Sequence, residues 1–257
     1  MRIHSLPLLV VALAAACAGP SKEVRARQAL GAELVRRGDW RAAFGVVNEL
    51  CREDPHDANA LMLRGIIYTE QRLLPEAEAD LKEAVRLEPK LARAHSALAI
   101  LYDIEHKPKD AIEHHQRAVE LAPRDPGYLN NLAFSLFAAG RPREAIPIFH
   151  EALREAPTDV RVRNNLGFAY AAAGDLANAA QQFTIAGSPA AAKNNLAWAY
   201  ERRGSLAQAY DLYVEAVRLD PADEVARRNL SRVAQALGRE VPRDLAGPGT
   251  QSRGGAS

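Results

Sequence analysis

Four sets of residues could carry chemistry in this chain of 257 residues. The first is a set of imidazoles: His114 and His115 adjoin, with His106 and His95 upstream. Histidine binds metals and exchanges protons near neutral pH. Adjoining residues on a helix point about 100° apart, so His114 and His115 do not converge on one ion, and no metal site is expected. The second set is acidic pairs such as Glu76 and Asp80, which read as a solubilising face rather than a catalytic one. The third is a recurring Asn-Asn-Leu phrase at Asn130–Asn131, Asn164–Asn165 and Asn194–Asn195. An asparagine amide offers one acceptor and two donors, enough to bond both groups of an extended backbone. The fourth is a thiol, Cys17, at the end of an apolar run. No GxGxxG, GxxxxGK[ST], HExxH or GxSxG phrase occurs. The chain therefore reads as a non-enzyme without a cofactor or small-molecule substrate.

Cys17 gains its meaning from what precedes it. Leu8 to Ala16 is apolar and follows a weakly positive start at Arg2. The run is shorter than the roughly 20 residues that span a bilayer, and it fits the apolar region of a secretory signal. Leu13-Ala14-Ala15-Ala16-Cys17 resembles the bacterial lipobox, with Ala14 standing where Leu is commonest. The resemblance implies a signal peptide over 1–16, an acylated Cys17 and a short tether over 17–23. The alternative is ordinary Ala-x-Ala cleavage with Cys17 incidental. Each buried methylene of a lipid contributes about 0.8 kcal/mol, so several acyl chains anchor durably. Ala18, rather than Asp, follows the cysteine, which by the same resemblance implies an outer-membrane anchor facing the periplasm. The second cysteine, Cys51, reads as a small buried hydrophobe.

Lys and Arg number 33 against 32 Asp and Glu, so no broad attraction to nucleic acid is expected. Alanine is abundant, which favours closely packed helices. The elements behind that composition repeat. Pro55, Pro89, Pro123 and Pro157 lie 34 residues apart, and Pro221 follows at 34 plus 30. With each Pro at position 32, repeats run over 24–57, 58–91, 92–125, 126–159, 160–189 and 190–223, the fifth being four residues short. Position 8 is Gly31, Gly65, Ala99, Ala133, Gly167 and Ala197; position 20 is Ala43, Ala77, Ala111, Ala145, Ala179 and Ala209. Small residues there let two helices of one hairpin approach closely, while larger ones at positions 7, 11 and 24 fill the space between. Gly38, Gly140, Gly174 and Gly204 at position 15 end the first helix of their pairs. Pro147 falls inside a second helix, where it predicts a bend costing roughly 3 kcal/mol. A polar helix over 224–238 would cap the stack, and 239–257 reads as a disordered tail.

This pattern resembles the tetratricopeptide repeat. The resemblance implies an all-α solenoid of about six helical hairpins plus a C-terminal capping helix. It also implies a concave groove lined by positions 5 and 9 of each first helix. Those positions hold Met62 and Ile66, Ser96 and Ile100, Asn130 and Phe134, Asn164 and Phe168, and Asn194 and Trp198. An apolar stripe that becomes aromatic, beside an asparagine ladder, would receive an extended peptide or a helix from a protein partner. The shortened fifth repeat and the AAAKNNLAWAYERRG restart resemble the tight-adherence pilus assembly lipoproteins. That resemblance implies a membrane-anchored scaffold whose partners are secretin or pilus components. A soluble periplasmic adaptor delivering substrates to a protease or chaperone, and a subunit of a cell-wall or polysaccharide export complex, stay open.

Overall fold

The computed structural model describes residues 21–245. The signal segment 1–16, Cys17 and the last part of the tail therefore lie outside the described residues. Thirteen helices, and no strands, occur among the described residues. They form six hairpins and a final helix: α1 (Lys22–Arg37) with α2 (Trp40–Glu53), α3 (Ala58–Glu70) with α4 (Leu74–Leu87), α5 (Ala92–Ile104) with α6 (Pro108–Leu121), α7 (Pro126–Ala138) with α8 (Pro142–Glu155), α9 (Val160–Ala173) with α10 (Leu176–Ala186), α11 (Pro189–Arg202) with α12 (Leu206–Leu219), and α13 (Glu224–Leu237). Two compact units result, 21–121 and 122–245, each a stack of hairpins. Within each unit the first helices also touch one another in order, α1–α3–α5 in one and α7–α9–α11 in the other.

Each hairpin closes on a small residue facing a large one. All six alanines at position 20 are fully buried. Position 8 faces position 24, which holds Val47, Leu81, His115, Phe149, Phe183 and Tyr213, none more than 1% exposed. A Cβ built on Gly65 would sit 2.6 Å from Leu81 Cγ, and one on Gly167 would sit 2.5 Å from Phe183 Cε1. Real Cβ atoms do not approach that closely, so glycine is what allows the large partner to seat. Two position-24 residues are polar, and each finds an acid twelve residues earlier. His115 Nε2 donates to Asp103 Oδ2 at 3.0 Å, and the Tyr213 hydroxyl donates to Glu201 Oε2 at 2.9 Å.

The punctuation is equally regular. An aspartate ends four of the linkers between repeats, Asp57, Asp125, Asp159 and Asp223. Each accepts the second and third N–H groups of the helix that follows it. Position 15 is left-handed in every hairpin, with φ between 57° and 98°. In the second and third hairpins that residue is Arg72 (φ 63°) or His106 (φ 57°) instead of glycine.

Pro147 lies inside helix α8, as the register predicts, and is exposed, so water can serve the carbonyl that its missing N–H leaves free. One expectation needs correction. Residues 239–245, expected within the disordered tail, instead fold back. Val241 and Leu245 pack on the core of the last hairpin, and Tyr210 donates its hydroxyl to the Glu240 carbonyl at 2.8 Å. Their two apolar side chains, spaced four apart around Pro242, precede the Gly-Pro-Gly run at 247–249 and give this stretch something to bury.

Two substitutions test these packing rules. Gly167→Val forces a branched side chain into Phe183 and is expected to destabilise by about 1–3 kcal/mol, read by denaturant unfolding. Arg72→Gly relieves a left-handed conformation that costs about 1–2 kcal/mol and adds roughly 0.5–1 kcal/mol of chain-entropy cost, so stability to denaturant should rise.

Candidate protein-interaction surface

The stripe and ladder expected from the sequence separate in the structure. On the first helices of the C-terminal unit, Phe134 is 46% and Trp198 37% exposed. Phe168 lies between them in sequence register but is half-buried, 4.8 Å from the Phe183 ring and 5.0 Å from Trp198, meeting the latter edge-on. Trp198 also carries the Arg202 guanidinium over its face at 5.7 Å. Phe134 packs against Phe137, one turn away, at 6.2 Å. In the N-terminal unit Ile100 is 42% exposed, while Ile66 is half-buried against the core. Exposed aromatic and aliphatic side chains next to a cation suit a surface that takes up apolar side chains from a partner.

Position 5 is a different case. Met62, Ser96 and Asn130 are buried, at 2%, 5% and 4% exposure, so they do not line an accessible groove as expected. Met62 belongs to the core of the N-terminal unit, and Asn130 is engaged by Asn165 of the following first helix. The asparagines there are spent on the stack itself. Asn130 Oδ1 accepts from Asn165 at 3.0 Å, Asn164 Oδ1 from Asn195 at 3.1 Å, and Asn194 Oδ1 from Asn229 at 3.0 Å. Each bond joins position 5 of one repeat to position 6 of the next, and the last one reaches the capping helix α13. The ladder thus clips repeats together, and its carbonyl groups are already engaged. The sequence signal for this is the doubled asparagine, which places one amide at position 5 and one at position 6 of each repeat from 126 onward.

Charge is likewise arranged for structure. Asp80 is not a solvent-face acid: it is nearly buried and takes a bidentate pair from Arg64, at 2.6 and 2.8 Å. The hydrogen bond to Asp80 raises the Arg64 guanidinium above its ordinary value, so the arginine is permanently charged. Arg64 Nη1 also points to Asn48 Oδ1 at 3.4 Å. Burial pushes the nearby Cys51 thiol up to about 11, which leaves it protonated and unreactive at neutral pH.

His95 and His114 meet across the third hairpin, Nδ1 to Nδ1 at 3.0 Å, and both are held below the ordinary imidazole value. Burial is the main cause for each. The Arg117 charge adds to it for His95, and the facing His95 adds to it for His114. Glu113 and Asp110 oppose the shift of His114, and the Pro89 carbonyl opposes that of His95. Among the described residues, no three His, Cys, Asp or Glu side chains group as metal ligands, and no helix is long and apolar enough to cross a membrane.

Known proteins share this architecture. Three tetratricopeptide-repeat family models match the chain, over residues 29–92, 136–200 and 190–223. Among solved structures, PilW, a widely conserved type IV pilus biogenesis factor, superposes with a TM-score of 0.69 at 18% identity, over 83% of this chain and 99% of that one. PilF of Pseudomonas aeruginosa gives 0.65 at 16% identity, over 83% and 97%. YrrB, described as a tetratricopeptide-repeat protein with an unusual peptide-binding site, gives 0.56 at 20% identity, over 71% and 96%. At these identities the likeness is one of fold. No curated protein matches by sequence.

The histidine pair sets a pH dependence. An imidazole whose folded value lies below its unfolded value of about 6.5 binds protons more readily in the unfolded chain. Stability is therefore complete above that pH and falls as the pH drops through and below it. Thermal unfolding between pH 8 and pH 5 should show this loss, and His114→Gln should flatten the curve.

Proposed function

The chain is a tetratricopeptide-repeat protein, and from that premise we propose that it is a non-enzymatic protein-interaction scaffold. The exposed first-helix face of its C-terminal unit, marked by Phe134 and Trp198, holds a partner peptide or helix. The observation that carries this reading is the exposure of Phe134 and Trp198 on that face, with Arg202 beside the tryptophan. Phe168 meets Trp198 edge-on and ties it to the core, while Ile66 packs half-buried against the core of the N-terminal unit. Asn164 and Asn194 stand half-buried four residues before the aromatics, and the Asn194 amide donates to Asn195 Oδ1 at 3.5 Å.

Magnitudes favour a modest affinity. The two exposed aromatics, fully covered by a partner, contribute about 1.5–3 kcal/mol each. Association costs about 4–15 kcal/mol, so a single peptide is held weakly unless something raises its local concentration. A lipid anchor would do that by confining scaffold and partner to one surface. We therefore read Cys17 as acylated and the protein as an outer-membrane lipoprotein facing the periplasm.

The machine proposed is an envelope assembly such as a pilus or secretion system. The resemblance of the repeat register to TadD, the tight-adherence pilus assembly lipoprotein, supports this. So does the near full-length match in fold to PilW, a pilus biogenesis factor. The peptide-binding site named for YrrB supports the idea that such a stack can hold a peptide. A soluble periplasmic adaptor is the second reading, and it differs in having no anchor.

Two experiments separate these readings. Wild type should label with a fatty acid and fractionate with membranes, and Cys17→Ser should become soluble; two soluble proteins would favour the adaptor. Phe134→Glu with Trp198→Glu should keep the helical circular dichroism of wild type yet lose capture of its partners. Both side chains are exposed, so the pair spares the core in a way that Phe168→Glu would not. Unchanged capture by the folded double variant would remove this face as the contact surface.

A further inference from the structure

The pairing of His95 with His114 is used by neither the stack nor the interaction face. His95 stands on α5 and is 6% exposed; its Nε2 lies 3.1 Å from the Pro89 carbonyl oxygen. A carbonyl only accepts, so His95 carries its proton on Nε2 and turns the Nδ1 lone pair toward α6. His114 Nδ1 stands 3.0 Å away, with the ring centroids 5.3 Å apart and the planes inclined by 31°. Metal-binding histidines have this arrangement, with the remote ring nitrogen donating to a backbone carbonyl that fixes tautomer and ring orientation.

The spacing also fits an ion. Two nitrogens bound to zinc at about 2.0–2.1 Å, between right-angle and tetrahedral geometry, lie roughly 2.9–3.4 Å apart. His114 is half-buried and borders an open cavity of about 380 Å³, lined also by Pro89, Glu113, Arg117 and Glu120. Arg117 is held by Glu120 at 2.7 Å, which leaves the exposed Glu113 carboxylate as negative charge on the rim. The cavity gives an ion access and room for water.

We propose that His95 and His114 form a two-imidazole site for a divalent cation of the zinc class, completed by water at the mouth of this cavity. In the ion-free state His114 donates its Nδ1 proton to His95. On binding, that proton passes through solvent to His114 Nε2, both Nδ1 lone pairs bind the ion, and no net proton is released. His95 is the fixed ligand and His114 the one that adjusts. His115 takes no part, because it points into the hairpin and donates to Asp103. The sequence hides the site, since the two ligands stand on different helices while the adjoining pair His114–His115 diverges.

The test is calorimetric titration of the tag-free full chain with Zn²⁺ at pH 7.5. One ion per chain is expected, bound at least about ten-fold more weakly by His95→Gln and by His114→Gln. The exposed His56→Gln should bind as wild type does. Because a variant at buried His95 can lose its fold, imidazole ¹⁵N shifts of the wild-type chain provide a second measurement. The two Nδ1 resonances of His95 and His114 should move together on adding Zn²⁺ while that of His115 stays. An absence of binding by wild type, undiminished binding by folded His114→Gln, or shifts confined to other histidines would overturn the proposal and leave the pair as a hydrogen bond alone.

Discussion

Everything in this protein depends on how closely two helices of a hairpin can approach. At positions 8 and 20 the side chain is glycine or alanine, and at position 24 a large residue fills the gap they leave. Gly167 beneath Phe183 and Gly65 beneath Leu81 show the tolerance, because a single added carbon would collide. A hairpin closed in this way still exposes apolar surface on its flank, which only another hairpin can cover. Stacking therefore follows from close packing, and the number of repeats is what gives the chain a core.

The polar groups then serve the stack in a repeating way. Aspartates at the ends of four linkers cap the following helices. Acids at position 12 satisfy the polar residues His115 and Tyr213 that replace hydrophobes at position 24. Asparagines at positions 5 and 6 bond from one repeat to the next as far as α13. A buried amide bonded on its carbonyl costs little, whereas an unbonded one costs about 1–3 kcal/mol. The ladder is thus a condition for correct stacking, and a slipped repeat would break it.

What is left for function is whatever the stack does not consume. On the first-helix face of the C-terminal unit that remainder is aromatic, with Phe168 tying Trp198 to the core through Phe183. In the N-terminal unit it is Ile100 and the cavity beside the histidine pair. An interaction surface built on rigid helices loses little entropy on binding, which suits the scaffold role proposed above.

The sequence by itself determined the hairpins, their register and the close-packing positions. Those depend on spacing within 34 residues, and a helix fixes which residues share a face. It also held the linker aspartates in the Pro-x-Asp phrases at Asp57, Asp125, Asp159 and Asp223, a capping signal readable from spacing to the next helix. Only the tertiary structure decided which position-5 residues are covered, why Asp80 is paired with Arg64 rather than solvated, and that Val241 and Leu245 draw the first part of the tail onto the last hairpin. It alone brought His95 to His114. These contacts join residues on different helices, and the angle and distance between helices come from packing of the whole hairpin rather than from the order of residues along either one.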